Sequence, residues 1–150
     1  MILYHLDKWR YRKIWPPEGS IHAEGRWNKA GQWIIYASPS ISLAKLETLA
    51  NTNNLPLRGV CMIMEVKHKS TVFEIQSSDL PDNWMQKPPP LILKIIMAEF
   101  LKSDCILMKV PSAQSYTESN FLINVRHPRF NKLVKLVSVA EEPFDPRLFT

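Results

Sequence analysis

Glycine and cysteine are scarce in this 150-residue chain, which has four glycines and two cysteines. No glycine-rich phosphate loop is present, and neither zinc-finger spacing nor a helix-turn-helix pattern is recognisable. These absences argue against a dedicated nucleic-acid-binding domain. Cys61 and Cys105 both lie within apolar runs. Such surroundings favour buried free thiols over a disulfide framework.

Long hydrophobic runs are also missing. No stretch approaches the ~20 apolar residues of a membrane span. The first residues lack a basic segment followed by an apolar one, so no secretory signal is visible. We therefore expect a cytoplasmic protein. A hydrophobic content of 45% is sufficient for the core of a single domain over residues 1–150.

The chain has an excess of positive charge, with a formal net charge of +5 at pH 7 and a pI near 9.3. An anionic substrate, an acidic protein partner or a nucleic acid would each suit this charge. The basic residues are scattered, apart from one short cluster over residues 9–13. Charge alone leaves these alternatives open.

Hydrophobic patterning predicts many short strands and two main helices. The helices are expected over 41–51, with N-cap hydroxyls at 38–40, and over 91–102. Strands are expected over 2–6, 33–37, 60–66, 71–75, 105–110, 120–125 and 133–139. Because strands outnumber helices, we predict an α+β fold and not a doubly wound parallel sheet.

One carboxylate stands out in the first predicted helix. Glu47 is predicted to share a helical face with apolar residues, namely Leu43, Leu46 and Ala50. An ion pair with a buried arginine, or a position at the edge of this apolar face, would explain the placement of Glu47 without any function. Arg26 and Tyr36 lie close in sequence, and perturbed carboxylates cluster at working sites. Their proximity favours a catalytic role for Glu47.

This set of residues suits cleavage of a glycosidic bond in a dinucleotide. A carboxylate beside a sugar stabilises an oxocarbenium-like transition state. In NAD⁺ the nicotinamide leaving group is already cationic, so a single carboxylate suffices. The planar guanidinium of Arg26 suits a pyrophosphate, and the ring of Tyr36 suits the cationic nicotinamide. Without such a function, Arg26 would be an ordinary surface arginine and Tyr36 an ordinary core residue.

Two further polar residues follow later in the chain. Ser112, directly after Val110-Pro111, is either a turn residue or a hydroxyl donor to a phosphate or ribose. His127 has no cysteine or histidine partners at metal-ligand spacing, so no metal site is expected.

Taken together, the ordered motifs resemble the RES domain family. The resemblance runs from about residue 2 to residue 148 and is strong as an ordered series, although each motif alone is weak. The matching segments are 24–28 (Glu-Gly-Arg-Trp-Asn, with Gly31 beyond), 35–38, 43–47, 80–84, 110–113, 120–124 and 145–148.

The resemblance implies a toxin of a type II toxin–antitoxin pair, with an Xre-like antitoxin as partner and a fold similar to ADP-ribosyltransferase toxins. Family members deplete NAD⁺ by hydrolysis or phosphorolysis, and some transfer ADP-ribose to a protein. NAD⁺ would therefore be substrate, with no resident cofactor. By motif, Arg26 would hold NAD⁺, Tyr36 would stack near nicotinamide, Glu47 would be the catalytic carboxylate and Ser112 would line the site.

The chain departs from the family pattern at two places. The family usually opens with Tyr-Arg, whereas this chain has Tyr4-His5. His5 is therefore a candidate substrate-binding residue whose contact would be sensitive to pH, since histidine titrates near neutrality. Residues 94–99 also replace a motif of glycine and tryptophan, which we interpret as repacking.

Three functions are compatible with the sequence. The first is an NAD⁺ glycohydrolase or phosphorylase that arrests growth. The second is transfer of ADP-ribose to a host protein, although Lys45 and Leu46 before Glu47 differ from the acidic or glutamine residue of arginine-modifying toxins. The third is a non-catalytic or RNA-directed toxin that uses the basic surface.

Overall fold

The computed structural model describes residues 1–52, 58–67 and 71–149. These residues form seven strands and four α-helices: β1 (Ile2–Lys8), α1 (Gly19–His22), β2 (Ile34–Ala37), α2 (Ile41–Asn51), β3 (Arg58–Val66), β4 (Val72–Glu74), α3 (Ile92–Lys102), β5 (Leu107–Pro111), β6 (Ser119–Asn124), α4 (Phe130–Leu133) and β7 (Val134–Pro143). Short 3₁₀ turns occur at Trp9–Tyr11, Ser77–Asp79 and Pro146–Phe149. The predicted α+β class is confirmed.

The strands form two sheets. One is antiparallel with the order β1-β3-β7, and the other has the order β2-β6-β5-β4. Within the second sheet β4 and β5 are parallel, while the other pairs are antiparallel. Parallel neighbours need a crossover connection, and α3 supplies it here.

In the described chain, the two sheets pack through a shared hydrophobic core and are joined by one isolated backbone bridge, between Tyr4 and Ser38. The amide of Tyr4 donates to the oxygen of Ser38 at 2.8 Å, and the amide of Ser38 donates to the oxygen of Tyr4 at 2.9 Å. This bridge brings the start of β1 against the end of β2. Side chains from both sheets therefore converge beside it.

Helix α3 closes the core of the four-stranded sheet. Its buried face carries Leu93, Met97 and Phe100, which are spaced as one side of a helix and belong to the same cluster as Met108 and Leu122. Full burial of each large apolar side chain contributes about 1.5–3 kcal/mol. This packing fixes α3, and with it any polar group that the helix presents inward.

Strand β3 is covered on both faces, because Val60, Cys61 and Met62 are all buried although successive side chains alternate in direction. Burial raises the pKa of the Cys61 thiol to about 11. Cys61 and the half-buried Cys105 are both free, as the sequence predicts.

Helix α2 has the predicted bounds and the predicted N-cap. Ser40 Oγ accepts a hydrogen bond from the amide of Leu43 at 3.1 Å. The predicted apolar face of α2 is only partly buried, because Leu46 is 42% exposed. The helix packs mainly against β1, and Leu43 and Ala44 are its buried residues. Glu47 therefore lies beside the buried face, at the edge of a cleft.

Across the three described segments, no helix combines the length and apolar character needed to cross a membrane.

Candidate active site

An open cleft of about 360 Å³ lies beside the junction of the two sheets. Its size is within the range of about 300–1,000 Å³ that is usual for small-molecule sites. Residues of β1, β2, α2, β5, β6 and three connecting segments form its wall: His5, Leu6, Glu24, Gly25, Arg26, Trp27, Tyr36, Ala37, Ser38, Ala44, Glu47, Thr48, Asn51, Val110, Pro111, Ala113, Asn120 and Leu122. Arg26, Tyr36, Glu47 and His5 are thus brought together.

The loop that carries Arg26 is held from inside by Asn28. Asn28 Oδ1 accepts from the amide of Gly25 at 3.0 Å and from the hydroxyl of Tyr36 at 2.7 Å. Its Nδ2 donates to backbone oxygens of the surrounding loop, those of Ser20, Ala23 and Lys29. Because both the oxygen and the nitrogen of this buried amide already have partners, Asn28 holds the loop in place and is not available to bind a ligand.

Tyr36 presents its ring to the cleft and its hydroxyl to the loop. The hydroxyl accepts from the amides of Trp27 at 3.2 Å and Asn28 at 3.1 Å. Burial raises the pKa of Tyr36 to about 12, although these amides and the nearby Arg26 oppose the shift. Tyr36 therefore remains a neutral phenol on the cleft wall.

Gly25 allows this close packing. A Cβ at this position would lie 2.6 Å from Asn28 Oδ1 and 2.7 Å from the Tyr36 hydroxyl oxygen. Any other residue would push apart the two groups that hold the loop.

Arg26 is anchored through one nitrogen only. Its Nη1 donates to the backbone oxygens of Trp84 at 2.8 Å and Gln86 at 3.2 Å. Burial lowers the pKa of Arg26, while Glu47 and Tyr36 oppose that shift, and a guanidinium stays charged in either case. The remaining N–H groups make no hydrogen bond to the described residues, so they are available for an anion.

Lys94 of α3 supports the same loop from below. It is 6% exposed, and its Nζ donates to the backbone oxygens of Gly25 and, at 2.7 Å, of Arg26. Glu24 lies 3.4 Å from the ammonium. Burial lowers the pKa of Lys94, and Glu24 opposes this shift. The lysine is thus used to hold the backbone on both sides of the Arg26 Cα.

Glu47 receives two hydrogen bonds at one oxygen. Its Oε1 accepts from Ser112 Oγ at 2.6 Å and from Asn120 Nδ2 at 2.7 Å. Among the described residues, none donates to Oε2. The carboxylate is consequently oriented through one oxygen and leaves the other for the cleft.

Ser112 lies behind Glu47 and not on the cleft wall, unlike the lining position that the resemblance implies. It is 1% exposed. Its hydroxyl donates to Glu47 and accepts from the amides of Gln114 at 3.0 Å and Ser115 at 3.1 Å. One proton and two lone pairs are all that a hydroxyl offers. Ser112 therefore orients the carboxylate and has no capacity left for substrate.

His5 lies on the cleft wall next to Tyr36. Its Nδ1 is 2.7 Å from the backbone oxygen of Tyr36, a contact that requires a proton on Nδ1. Its Nε2 is buried without a hydrogen-bond partner and lies 3.6 Å from Asp7 Oδ2. The imidazole thus faces backbone and Asp7, and it does not offer the forked donor set of an arginine.

Comparison with known proteins assigns the family. A model of the RES domain matches residues 2–146. The chain belongs to the RES domain family. This confirms the resemblance that the motifs indicate.

Curated relatives of this RES domain are named as toxins. It is 34% identical to Toxin Res of Yersinia enterocolitica over 151 residues, with 99% of both chains covered. It is 33% identical over 129 residues to the Prs ADP-ribosylating toxin of a Sphingobium species, covering 83% of this chain and 80% of the relative. Toxin Res of Pseudomonas putida is 30% identical over 137 residues, with 87% and 90% covered.

A solved structure shares the fold. A chain of the M. tuberculosis MbcT–MbcA toxin–antitoxin complex superposes with a TM-score of 0.67, covering 98% of this RES domain and 85% of that chain. At 15% identity this likeness shows the fold alone.

The sequence predicted no role for Asn28, Lys94 or Asn120, and for Ser38 only that of a helix-capping hydroxyl. Asn28, Ser38 and Asn120 lie within the segments that match the family, and this was the only sequence signal that they belong to a site. Lys94 gave none, because a lysine in a predicted helix is ordinarily exposed.

Proposed function

We propose that this RES domain is a toxin that cleaves the bond between nicotinamide and ribose in NAD⁺. The observation that carries the proposal is Glu47, a carboxylate oriented by two donors at Oε1 and placed in one cleft with Arg26 and Tyr36. The curated names of its relatives support a toxin, and one of them is described as ADP-ribosylating.

In the proposed reaction, the ribose C1–nitrogen bond breaks and its electron pair stays with nicotinamide, which leaves as a neutral molecule. Positive charge develops on the ribose ring, and the carboxylate of Glu47 stabilises it. An acceptor oxygen then bonds to C1; a water acceptor releases one proton to solvent, and an anionic phosphate oxygen has none to release. Because the leaving group needs no protonation, the reaction requires no second carboxylate, and Glu24, the other carboxylate among the described cleft residues, is given no role in it.

The other cleft residues would bind and orient the substrate. The free N–H groups of Arg26 suit the pyrophosphate, since a guanidinium forms paired hydrogen bonds with phosphate oxygens. The ring of Tyr36 suits the face of the nicotinamide. Water and inorganic phosphate are both candidate acceptors.

The test is nicotinamide release from NAD⁺ by the purified protein and by Glu47→Gln, with and without phosphate. We expect the substitution to lower kcat by about 10²–10³-fold, as for loss of one preorganised electrostatic contact. Glu99→Gln, at an exposed position on α3, is the matched control and should retain wild-type activity. Release that depends on phosphate would identify phosphorolysis. A loss of twofold or less in Glu47→Gln would refute the assignment.

Transfer of ADP-ribose to a host protein is the second candidate, and the name of the Sphingobium relative favours it. Lys45 stands where arginine-modifying toxins have an acidic or glutamine residue. Its ammonium lies 2.6 Å from Glu142, and Lys45 is not among the residues of the cleft wall. Labelled NAD⁺ distinguishes the two reactions. Label on a protein band supports transfer, and label in free ADP-ribose or its phosphate supports cleavage.

We also propose an antitoxin partner of the Xre type that blocks the cleft. The toxin–antitoxin complex with the same fold supports a partner, and the net charge of +5 suits an acidic segment. Full NAD⁺ cleavage by the purified pair would contradict blockade.

A further inference from the structure

Glu47 is connected to the junction of the two sheets through two side chains. Asn120 Nδ2 donates to Glu47 Oε1 at 2.7 Å, and Ser38 Oγ donates to Asn120 Oδ1 at 2.7 Å. We call this chain of hydrogen bonds the Ser38–Asn120 relay. It joins the end of β2, strand β6 and helix α2.

The orientation of the Asn120 amide is determined by its two neighbours. If the amide were reversed, Oδ1 would face the carboxylate oxygen of Glu47, and two acceptors would oppose each other. The carboxylate only accepts, so it sets the orientation of the amide. The Ser38 hydroxyl donates to Oδ1 of the amide in this orientation and stabilises it there.

Ser38 is itself held rigidly. It is 4% exposed, and both its amide and its carbonyl are bonded to Tyr4 in the bridge between the sheets. Asn120 lies within β6, opposite Val110 of β5. The relay thus links a flexible glutamate side chain to backbone that cannot shift without separating the sheets.

We propose that Ser38 and Asn120 are positioning residues that hold Glu47 with Oε2 directed at the ribose of the substrate. The proposal rests on the function proposed above. Ser112, directly after β5, and Asn120, in β6, donate to the same oxygen, so two donors restrain rotation of the carboxylate. Transition-state stabilisation by a charged group depends on such preorganisation. Ser38 acts on Glu47 only through Asn120.

A double-mutant cycle tests this order of action. Asn120→Ala is expected to lower kcat by about tenfold or more with little change in KM, since the substitution disturbs the carboxylate and not substrate binding. Ser38→Ala is expected to lower kcat by about threefold to tenfold. The double variant should equal Asn120→Ala, because Ser38 has no route to Glu47 once Asn120 is absent. Additive losses would overturn the proposal.

Two controls separate positioning from loss of stability. Asn124→Ala removes a buried asparagine from the same strand, and Ser119→Ala removes a half-buried serine next to Asn120. Neither residue lines the cleft. Both controls should retain kcat.

Binding measured without turnover distinguishes positioning from substrate contact. In the Glu47→Gln background, adding Asn120→Ala should change the calorimetric Kd for NAD⁺ by no more than about twofold, because no bond to substrate is removed. A tenfold weaker Kd would make Asn120 a substrate contact and would overturn its assignment as a positioning residue.

The relay can be tested even if the protein does not cleave NAD⁺. The side-chain amide signals of Asn120, assigned by their loss in Asn120→Asp, should shift in both Ser38→Ala and Glu47→Gln. Unchanged signals in either variant would refute the relay, whatever the activity. Shifted signals together with an inactive wild type would uphold the relay and reject the proposed function.

Discussion

The ammonium of Lys94 donates to the backbone oxygen of Arg26 at 2.7 Å, although the two residues are 68 positions apart in sequence. A second bond to the oxygen of Gly25 places the lysine under the loop that carries the candidate phosphate-binding cation. Like charges on the two side chains are tolerated because Glu24 also faces the ammonium. Lys94 thus uses a buried charge to shape the cleft.

Replacement of Lys94 should therefore weaken substrate binding through Arg26. In Lys94→Met, two backbone oxygens lose their donor, and an unsatisfied buried acceptor costs about 1–3 kcal/mol. We expect KM for NAD⁺ to rise by about tenfold, as Arg26 loses its fixed position. Lys102→Met, at the exposed end of the same helix, is the control and should leave KM unchanged. An unaltered KM in Lys94→Met would contradict this role.

Gly25 should not tolerate even a methyl group. In Gly25→Ala, the new Cβ would lie 2.6 Å from Asn28 Oδ1. Overpacking of this kind costs about 1–3 kcal/mol, so the free energy of unfolding in urea should fall by this amount and activity should fall with it. Gly19→Ala is the matched control, because a Cβ there meets nothing within 4 Å. Equal stability of the two variants would show that the loop can open.

Tyr36 should make stability dependent on alkaline pH. Its folded-state pKa is raised to about 12 from 10.0. A phenol that holds its proton more tightly when folded stabilises the fold fully below pH 10, and this contribution is lost as pH rises through about 12. The free energy of unfolding should therefore fall over this interval in the wild type.

Tyr36→Phe isolates that contribution. The variant should be less stable at neutral pH, because the amides of Trp27 and Asn28 lose their acceptor, and its stability should depend less steeply on pH between about 10 and 12. Tyr116→Phe, at an exposed position, should follow the wild-type curve. Parallel curves for all three proteins would refute the assignment.

Position 5 should limit the affinity for NAD⁺. His5→Arg replaces an imidazole that faces Tyr36 and Asp7 with a guanidinium that suits a pyrophosphate. A charged hydrogen bond contributes about 1.5–3 kcal/mol, from which loss of the bond to Tyr36 must be subtracted, so KM is expected to fall by about fivefold. Lys8→Arg, at the exposed end of β1, is the control. A raised KM would mean that the bond from His5 to Tyr36 matters more than an added cation.

The secondary structure was largely predictable from the sequence, because its signals are local. Helix α2 begins after Ser40 and has the predicted bounds, since a capping hydroxyl and a run of helix formers act over a few residues. Strands β2 and β6 were predicted by their β-branched and apolar runs. Leu46 was assigned to the wrong surface, because periodicity shows a helical face but not how much of it a neighbour covers.

The residue types of the site were also available from the sequence. Arg26, Tyr36 and Glu47 were chosen for their chemistry, and the structure places all three on one cleft.

The sequence by itself determined the class of fold, the family and the charged and aromatic groups available for chemistry. The tertiary structure alone decided how those groups are oriented. In the folded protein, Ser112 and Asn120 donate to the same oxygen of Glu47, and the hydroxyl of Ser112 has no further hydrogen-bonding capacity. The ammonium of Lys94 donates to the backbone oxygen of Arg26. The physical reason is that a hydrogen bond between side chains needs a donor–acceptor distance that is correct to within a few tenths of an ångström. Residues separated by tens of positions reach such distances only when the sheets and α3 pack together.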